Sequence, residues 1–279
     1  MTGRDFAKVW ALAFSLVAAA IVFLTTAERI FDSQLLKSPI VAIGSSLTAH
    51  AIPVRFPEPN GLLGDGRAHA RVNEIRMSED ETLSLVSRAT EAGASTVLVE
   101  ANAFAFDFAY TIMADEDPWI IKISKTLEDR INKLRRDFKW LSGYEPLEST
   151  EEPGALNNEP VITRKMLSDT YPLHLHLPRD PQAIAETLNE AHSRGTAVIL
   201  ISYPRSQTAA NYIGERAQAA IVAHLRALAD GLGVPLFMPS PAWPDEYFID
   251  TGHLNARGRA RFVAELAAWW AEHAWHPKP

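Results

Sequence analysis

The chain has 279 residues, 47% of them hydrophobic, no cysteine and a formal net charge of −7. That length supports one sizeable core with appendages, and the lack of thiols excludes disulfides and thiolate-held metals. Basic residues form no stripe, so nucleic acid is not an expected partner.

Residues 1–8 precede a run, Val9 through Ala27, without a single charged side chain. As a helix this run rises roughly 28 Å, close to the thickness of a bilayer's hydrocarbon core. The expectation is a single-pass anchor over 9–27 in the cell inner membrane. Arg4 and Lys8 hold residues 1–8 in the cytoplasm, so everything after Glu28 is periplasmic. A signal peptide cleaved near Thr25-Thr26-Ala27 is the competing reading, and a buried soluble helix is a third. Residues 28–37 read as an amphipathic connector, and 38–279 as the domain itself.

Within that domain the first signal is Pro39-Ile40-Val41-Ala42-Ile43, a buried strand that runs into Gly44-Ser45-Ser46-Leu47. Ala70–Ile75 is a second strand, a helix over Glu79–Ala92 follows, and Thr96–Val99 is the third strand. Residues 104–178 break the rhythm and read as a helical insertion. Ile120, Leu127, Leu134 and Leu141 stand at seven-residue intervals within it, an apolar stripe that must be covered by a core or a partner. Beyond it, a helix over Pro181–Arg194, a strand over Ala197–Ile201, one long helix over Thr208–Leu232, a strand over Val234–Phe237 and a last helix over Asn255–Glu272 complete the pattern. Continuous apolar strands alternating with helices predict an α/β domain whose parallel sheet is covered on both faces. Functional groups in such sheets gather at the C-terminal ends of the strands. Gly44-Ser45-Ser46, Glu100-Ala101-Asn102 and Tyr203-Pro204-Arg205 all follow strands directly.

Two of the motifs suggest chemistry together. In Asp250-Thr251-Gly252-His253 the spacing lets a short turn hold the carboxylate against the imidazole, fixing its tautomer and stabilising its protonated form. A histidine so arranged needs a nucleophile, and Gly44-Ser45-Ser46 offers a serine on a strand-to-helix turn. Taken singly, each has a plain structural reading: Gly-Ser-Ser is a common turn and cap, and Asp-x-x-His can be an acidic helix cap.

Together, Gly44-Ser45-Ser46-Leu47, Glu100-Ala101-Asn102-Ala103 and Asp250-Thr251-Gly252-His253-Leu254-Asn255, extended by Gly258, resemble sequence blocks of the SGNH/GDSL hydrolase family. The resemblance spans roughly 38–103 and 196–270. It implies a three-layer α/β/α flavodoxin-like fold in which Ser46 is the nucleophile, His253 the base and Asp250 its partner. It further implies an oxyanion hole formed by the Asn102 amide, the Ser46 N–H and a main-chain N–H of Met77 or Ser78. The chain departs from the family pattern at Ser45, where Asp is usual, at Glu100, where Gly is usual, at Ala103, where Asp is usual, and over Asn73–Ser78, which lacks the second block's Gly.

The anchor, the Gly-Ser-Ser block and the insertion also resemble membrane-tethered members that add or remove O-acyl groups on bacterial cell-surface polysaccharides. The expected function is therefore an extracytoplasmic serine esterase or O-acyltransferase. Its substrate would be an acylated, chiefly O-acetylated, polysaccharide, its partner a membrane acyl donor or polysaccharide-assembly protein, and it needs no metal or organic cofactor. The alternatives are a non-catalytic polysaccharide assembly or binding protein on the same scaffold, and a lipid-ester hydrolase. Arg205 is a candidate for an anionic substrate group and His50, four residues after Ser46, for a substrate-facing role. His174 and His176 alternate with leucines as in an edge strand, with no third ligand near enough in sequence to suggest a metal. The tryptophans Trp119, Trp269 and Trp270 fit either sugar stacking or helix-core anchors.

Overall fold

A computed structural model describes residue 15 and residues 36–53, 61–73, 77–107, 161–171 and 173–273. The chain divides into two compact units, Met1–Gln34 with Pro118–Pro146, and Leu35–Asp117 with Leu147–Pro279. All described residues except residue 15 belong to the second. No helix among the described residues is long and apolar enough to cross a membrane. The expected anchor over 9–27 lies outside them apart from residue 15, as does the heptad stripe from Ile120 to Leu141 together with Trp119.

A five-stranded sheet forms the centre, built from β1 (Ile40–Gly44), β2 (His69–Asn73), β3 (Thr96–Glu100), β4 (Ala197–Ile201) and β5 (Leu236–Phe237). All neighbours pair in parallel, in the order β2-β1-β3-β4-β5. This is a flavodoxin-like order. It reverses direction at β1, which is flanked by β2 and β3, and the switch opens a crevice beyond the strands' C-terminal ends.

The apolar runs of the strands are continuous because both faces of the sheet are covered. Val41, Ile43, Val97, Val99, Val198 and Leu200 join one core. That core takes Leu83 and Val86 from α2 (Glu79–Glu91), Ile184 from α5 (Pro181–Ser193), and Ile221 and Leu225 from α7 (Glu215–Leu232). The alternate residues Ile40, Ala42, Leu98, Ile199 and Ile201 join the other. They meet Ala51 of α1 (Ser46–Ala51) and Phe262, Leu266 and Trp270 of α8 (Ala256–His273). Each Val, Leu, Ile or Phe among them, taken fully out of water, contributes about 1.5–3 kcal/mol before entropy is counted. Trp270 is buried in this second core and Trp269 packs against it, so both act as core anchors.

Local chemistry sets the boundaries. Ser78 caps α2 with a complete capping box to Glu81, and Asp180 followed by a proline at the first turn starts α5. The Asn255 carboxamide oxygen accepts the Gly258 N–H at 3.0 Å and caps α8. Two expectations are corrected. The single helix over Thr208–Leu232 is two helices, α6 (Gln207–Ile213) and α7, parted by Gly214 at φ 84°. The strand over Val234–Phe237 is paired only at Leu236 and Phe237, because Pro235 has no N–H to give and offers only its carbonyl, to Leu200, at 2.9 Å.

The described parts of segment 104–178 form a stem and a wall. After the short helix α3 (Asn102–Ala105), Phe106–Asp107 pairs antiparallel with His174–Leu175, closing the segment's two ends on each other. His224 of α7 fastens that stem, its Nε2 lying 3.0 Å from the Ala105 carbonyl and 2.9 Å from that of His176. The wall is α4 (Arg164–Thr170), whose Leu167 is buried with Tyr171 and Ala209.

Candidate active site

Ser46 stands at the first residue of α1, immediately beyond the end of β1. Ser45 adopts an extended cap conformation, and its hydroxyl accepts the Leu47 N–H at 3.3 Å, which turns the chain sharply out of the strand. Gly44 leaves the space for that turn. A Cβ there would meet the Glu100 carboxylate at 2.6 Å and also the Thr48 hydroxyl.

On the far side of the crevice, residues 248–254 close a tight turn. Phe248 bridges Leu254, and the Ile249 N–H donates to the His253 carbonyl at 2.9 Å. The turn is docked by the Ser206 N–H, which donates to the Thr251 carbonyl at 3.2 Å. Within it, one Asp250 oxygen accepts the N–H groups of Gly252 and His253, each at 2.9 Å, and the other lies 2.7 Å from His253 Nδ1. Burial alone would raise the Asp250 carboxyl. The hydrogen bond and charge of His253, with the two main-chain N–H groups, outweigh it and hold the pKa below the ordinary aspartate value. His253 Nε2 lies 2.9 Å from Ser46 Oγ. With the carboxylate accepting at Nδ1–H, the Nε2 lone pair faces the serine hydroxyl.

Glu100, at the end of β3 and 4% exposed, is the centre of a polar cluster behind the serine turn. Its carboxylate accepts the Ser45 N–H at 2.7 Å, the Ser45 hydroxyl at 2.7 and 2.9 Å, the Thr48 hydroxyl at 2.8 Å and the Asn102 amide at 2.7 Å. A carboxylate oxygen accepts, so the amide nitrogen of Asn102 faces Glu100, leaving its second N–H for another acceptor. Thr48 also meets the Tyr203 hydroxyl at 2.8 Å. Burial first, and then the nearby Glu100 charge, push the Tyr203 phenol well above its ordinary range, which keeps it neutral. In the sequence Glu100 is only a departure from the block pattern, with no task of its own. The signal was a lone acid closing an otherwise apolar strand.

A cavity of about 260 Å³ opens on these groups and is lined by Ser46, Asn102 and His253, with Met166 and Tyr171 from the insertion wall. Arg205 lines it as well and is buried. A larger cavity of about 660 Å³, lined by Ala197, Val234, Pro235 and Trp269, lies by the beginnings of β4 and β5, away from the serine.

The remaining candidates fall elsewhere. Ser78 spends its N–H on the Glu81 carboxylate at 3.0 Å and its hydroxyl on the same cap, so it is committed to α2 and does not line the smaller cavity. Met77 packs against the core. His50 packs its ring 4.8 Å from that of His253, tilted by 56°, and is not among the residues lining the cavity. His174 is exposed, and His176 Nε2 lies 3.7 Å from Asp107. Among the described residues no group of three or more acids and histidines is placed to hold a metal ion.

No family model, curated protein or solved structure matches the chain. Its functional reading therefore rests on the geometry and chemistry of the site.

Proposed function

We propose that the chain is a serine esterase or O-acyltransferase of SGNH type, and the observation that carries this reading is the continuous Ser46–His253–Asp250 hydrogen-bond line opening on a cavity. In this mechanism Ser46 Oγ attacks an ester carbonyl while His253 Nε2 takes its proton. Asp250 holds the imidazole in register and stabilises the cation that forms. The Ser46 N–H and the second N–H of Asn102 receive the oxyanion. His253 then returns the proton to the departing alcohol, and water or an acceptor hydroxyl resolves the acyl-enzyme by the same steps in reverse.

The proposed substrate is an O-acylated cell-surface polysaccharide. The protein would be held by a membrane anchor over 9–27 with its catalytic domain outside the cytoplasm, and a membrane acyl-donor or polysaccharide-assembly protein would be its partner. The uncharged run and the insertion support that setting. One observation favours a second reading, a non-catalytic polysaccharide-binding scaffold: Ser78, where the second block's donor is sought, is locked in a helix cap. Turnover of 4-nitrophenyl acetate decides between them. The enzyme reading predicts release by the wild type and its loss in Ser46→Ala. Equal rates in wild type and variant, or none in either, would favour the scaffold.

A further inference from the structure

The mechanism above makes no use of Arg205, which is among the most deeply placed charges near the site. It is 8% exposed. Its guanidinium centre lies 5.7 Å from the Phe106 ring centre, and Arg205, Phe106 and Tyr171 all line the cavity that holds Ser46. Burial lowers the arginine's pKa from its ordinary value and Tyr171 opposes the shift, yet an arginine stays charged at neutral pH. Buried charges in folded proteins are paired, since desolvating an uncompensated one is costly.

Among the described residues no carboxylate forms an ion pair with Arg205. The two acids that line the cavity are already engaged. Asp250 is bound to His253 at 2.7 Å, and Asp169 meets Lys165 at 2.6 Å. Tyr171 is neutral and cannot offset the charge, because burial raises its phenol pKa above the ordinary value. The cavity is thus a small, partly apolar pocket in which, among the described residues, the positive charge has no acidic partner and shares its lining with the proposed serine nucleophile. At about 260 Å³ it is too small for a long acyl chain and large enough for a short acid or part of one sugar ring.

We propose that Arg205 receives a carboxylate carried by the substrate itself close to the ester, so that the site selects acidic esters over neutral ones. This inference rests on the esterase reading for its placement of the ester. The carboxylate could come from either half of the substrate: the acyl group, as in a monoester of a short dicarboxylic acid, or the alcohol, as in an O-acylated uronic acid. Either supplies two acceptor oxygens to a planar donor fork, the pairing for which arginine is best suited.

Calorimetric titration of the full chain with uncleavable ligand pairs tests it without any turnover. The methyl glycoside of glucuronic acid is compared with that of glucose, and succinamate with butyramide. In at least one pair the carboxylated ligand should bind about 10-fold or more tightly than its neutral counterpart, and the pair that responds names the source of the charge. Arg205→Gln should abolish the preference and Arg205→Lys should retain part of it, with circular dichroism reporting that each variant is folded. If Arg205→Gln does not fold, the wild-type comparison still decides. Equal binding within both pairs overturns the proposal and leaves the esterase reading standing. A clear anion preference with no ester turnover would uphold the site and sink the esterase reading alone.

Discussion

The turn that carries Ser46 and the turn that carries His253 face each other across 2.9 Å, yet they are held in place by different means. The bonds that orient the His253 ring lie within its own turn. Asp250 accepts two main-chain N–H groups and the imidazole from residues two and three positions ahead. The Ser46 turn relies on a side chain 55 residues away, since Glu100 takes both the N–H and the hydroxyl of Ser45. Glu100 can reach them only because β1 and β3 pair in register, Ile43 beside Val99. The imidazole is thus positioned by local geometry and the serine by the assembled sheet. Variants at Asp250 and at Glu100 should therefore fail in different ways.

The largest effect is kinetic. Asp250→Asn should lower turnover of a small acetyl ester by roughly 10²–10⁴-fold while leaving the protein folded, because the imidazolium loses its counter-charge. Steady-state kinetics beside a melting curve checks this. The same variant has a pH signature. Asp250's folded pKa lies below its unfolded value, so its contribution to stability is complete above the unfolded value and is lost as pH falls through the folded one. The stability gap between wild type and Asp250→Asn should accordingly be widest near neutral pH and close on acidification below about 3.9. A gap that widens in acid would contradict the assignment.

Glu100→Gln should behave otherwise. It turns an amide NH₂ toward a cluster of donors from Ser45, Thr48 and Asn102, with an expected cost of about 1–3 kcal/mol of stability and a lower kcat in the same variant. Denaturant titration alongside kinetics separates the two positions: Asp250→Asn loses rate with little stability, Glu100→Gln loses both. If Glu100→Gln kept full stability and full rate, the serine turn would not depend on the sheet in the way described.

The smallest effect lies outside both turns. Gly214 parts α6 from α7 at φ 84°, so Gly214→Ala should cost about 1 kcal/mol or slightly more through backbone strain and leave turnover unchanged. A melting curve and the acetyl-ester assay together check it.

The same contrast explains what could be read from the sequence. Strands β1, β3 and β4 were legible because each is buried on both faces and therefore almost continuously apolar, whereas β2, His69-Ala70-Arg71-Val72-Asn73, alternates and gives a weaker signal. The Asp250–His253 contact was legible because its geometry is contained within four residues. The break at Gly214 was missed because a glycine inside a helical pattern gives no sign of its φ. Glu100 was left without a role because its partners Ser45 and Thr48 lie on the turn and helix after another strand, and pairing of that range leaves no periodicity. The family resemblance put a main-chain oxyanion donor at Met77 or Ser78. The acid three residues after Ser78, Glu81, completes a capping box and takes the Ser78 N–H instead. His50 stood at helical spacing from Ser46, but the helix turns its ring onto His253. Arg205 followed a strand as expected, while the depth of its burial depends on Tyr171 and Phe106, which approach from the two ends of a 75-residue insertion.

The central claim is that the sheet and the His253 turn together activate one serine. Labelling of the native chain with a fluorophosphonate probe, located by peptide mass spectrometry, tests it most directly. The account predicts a single adduct on Ser46 Oγ, absent in Ser46→Ala and much slower to form in Asp250→Asn. A folded protein that takes no label, or one labelled at Ser45 with Ser46 untouched, would contradict it.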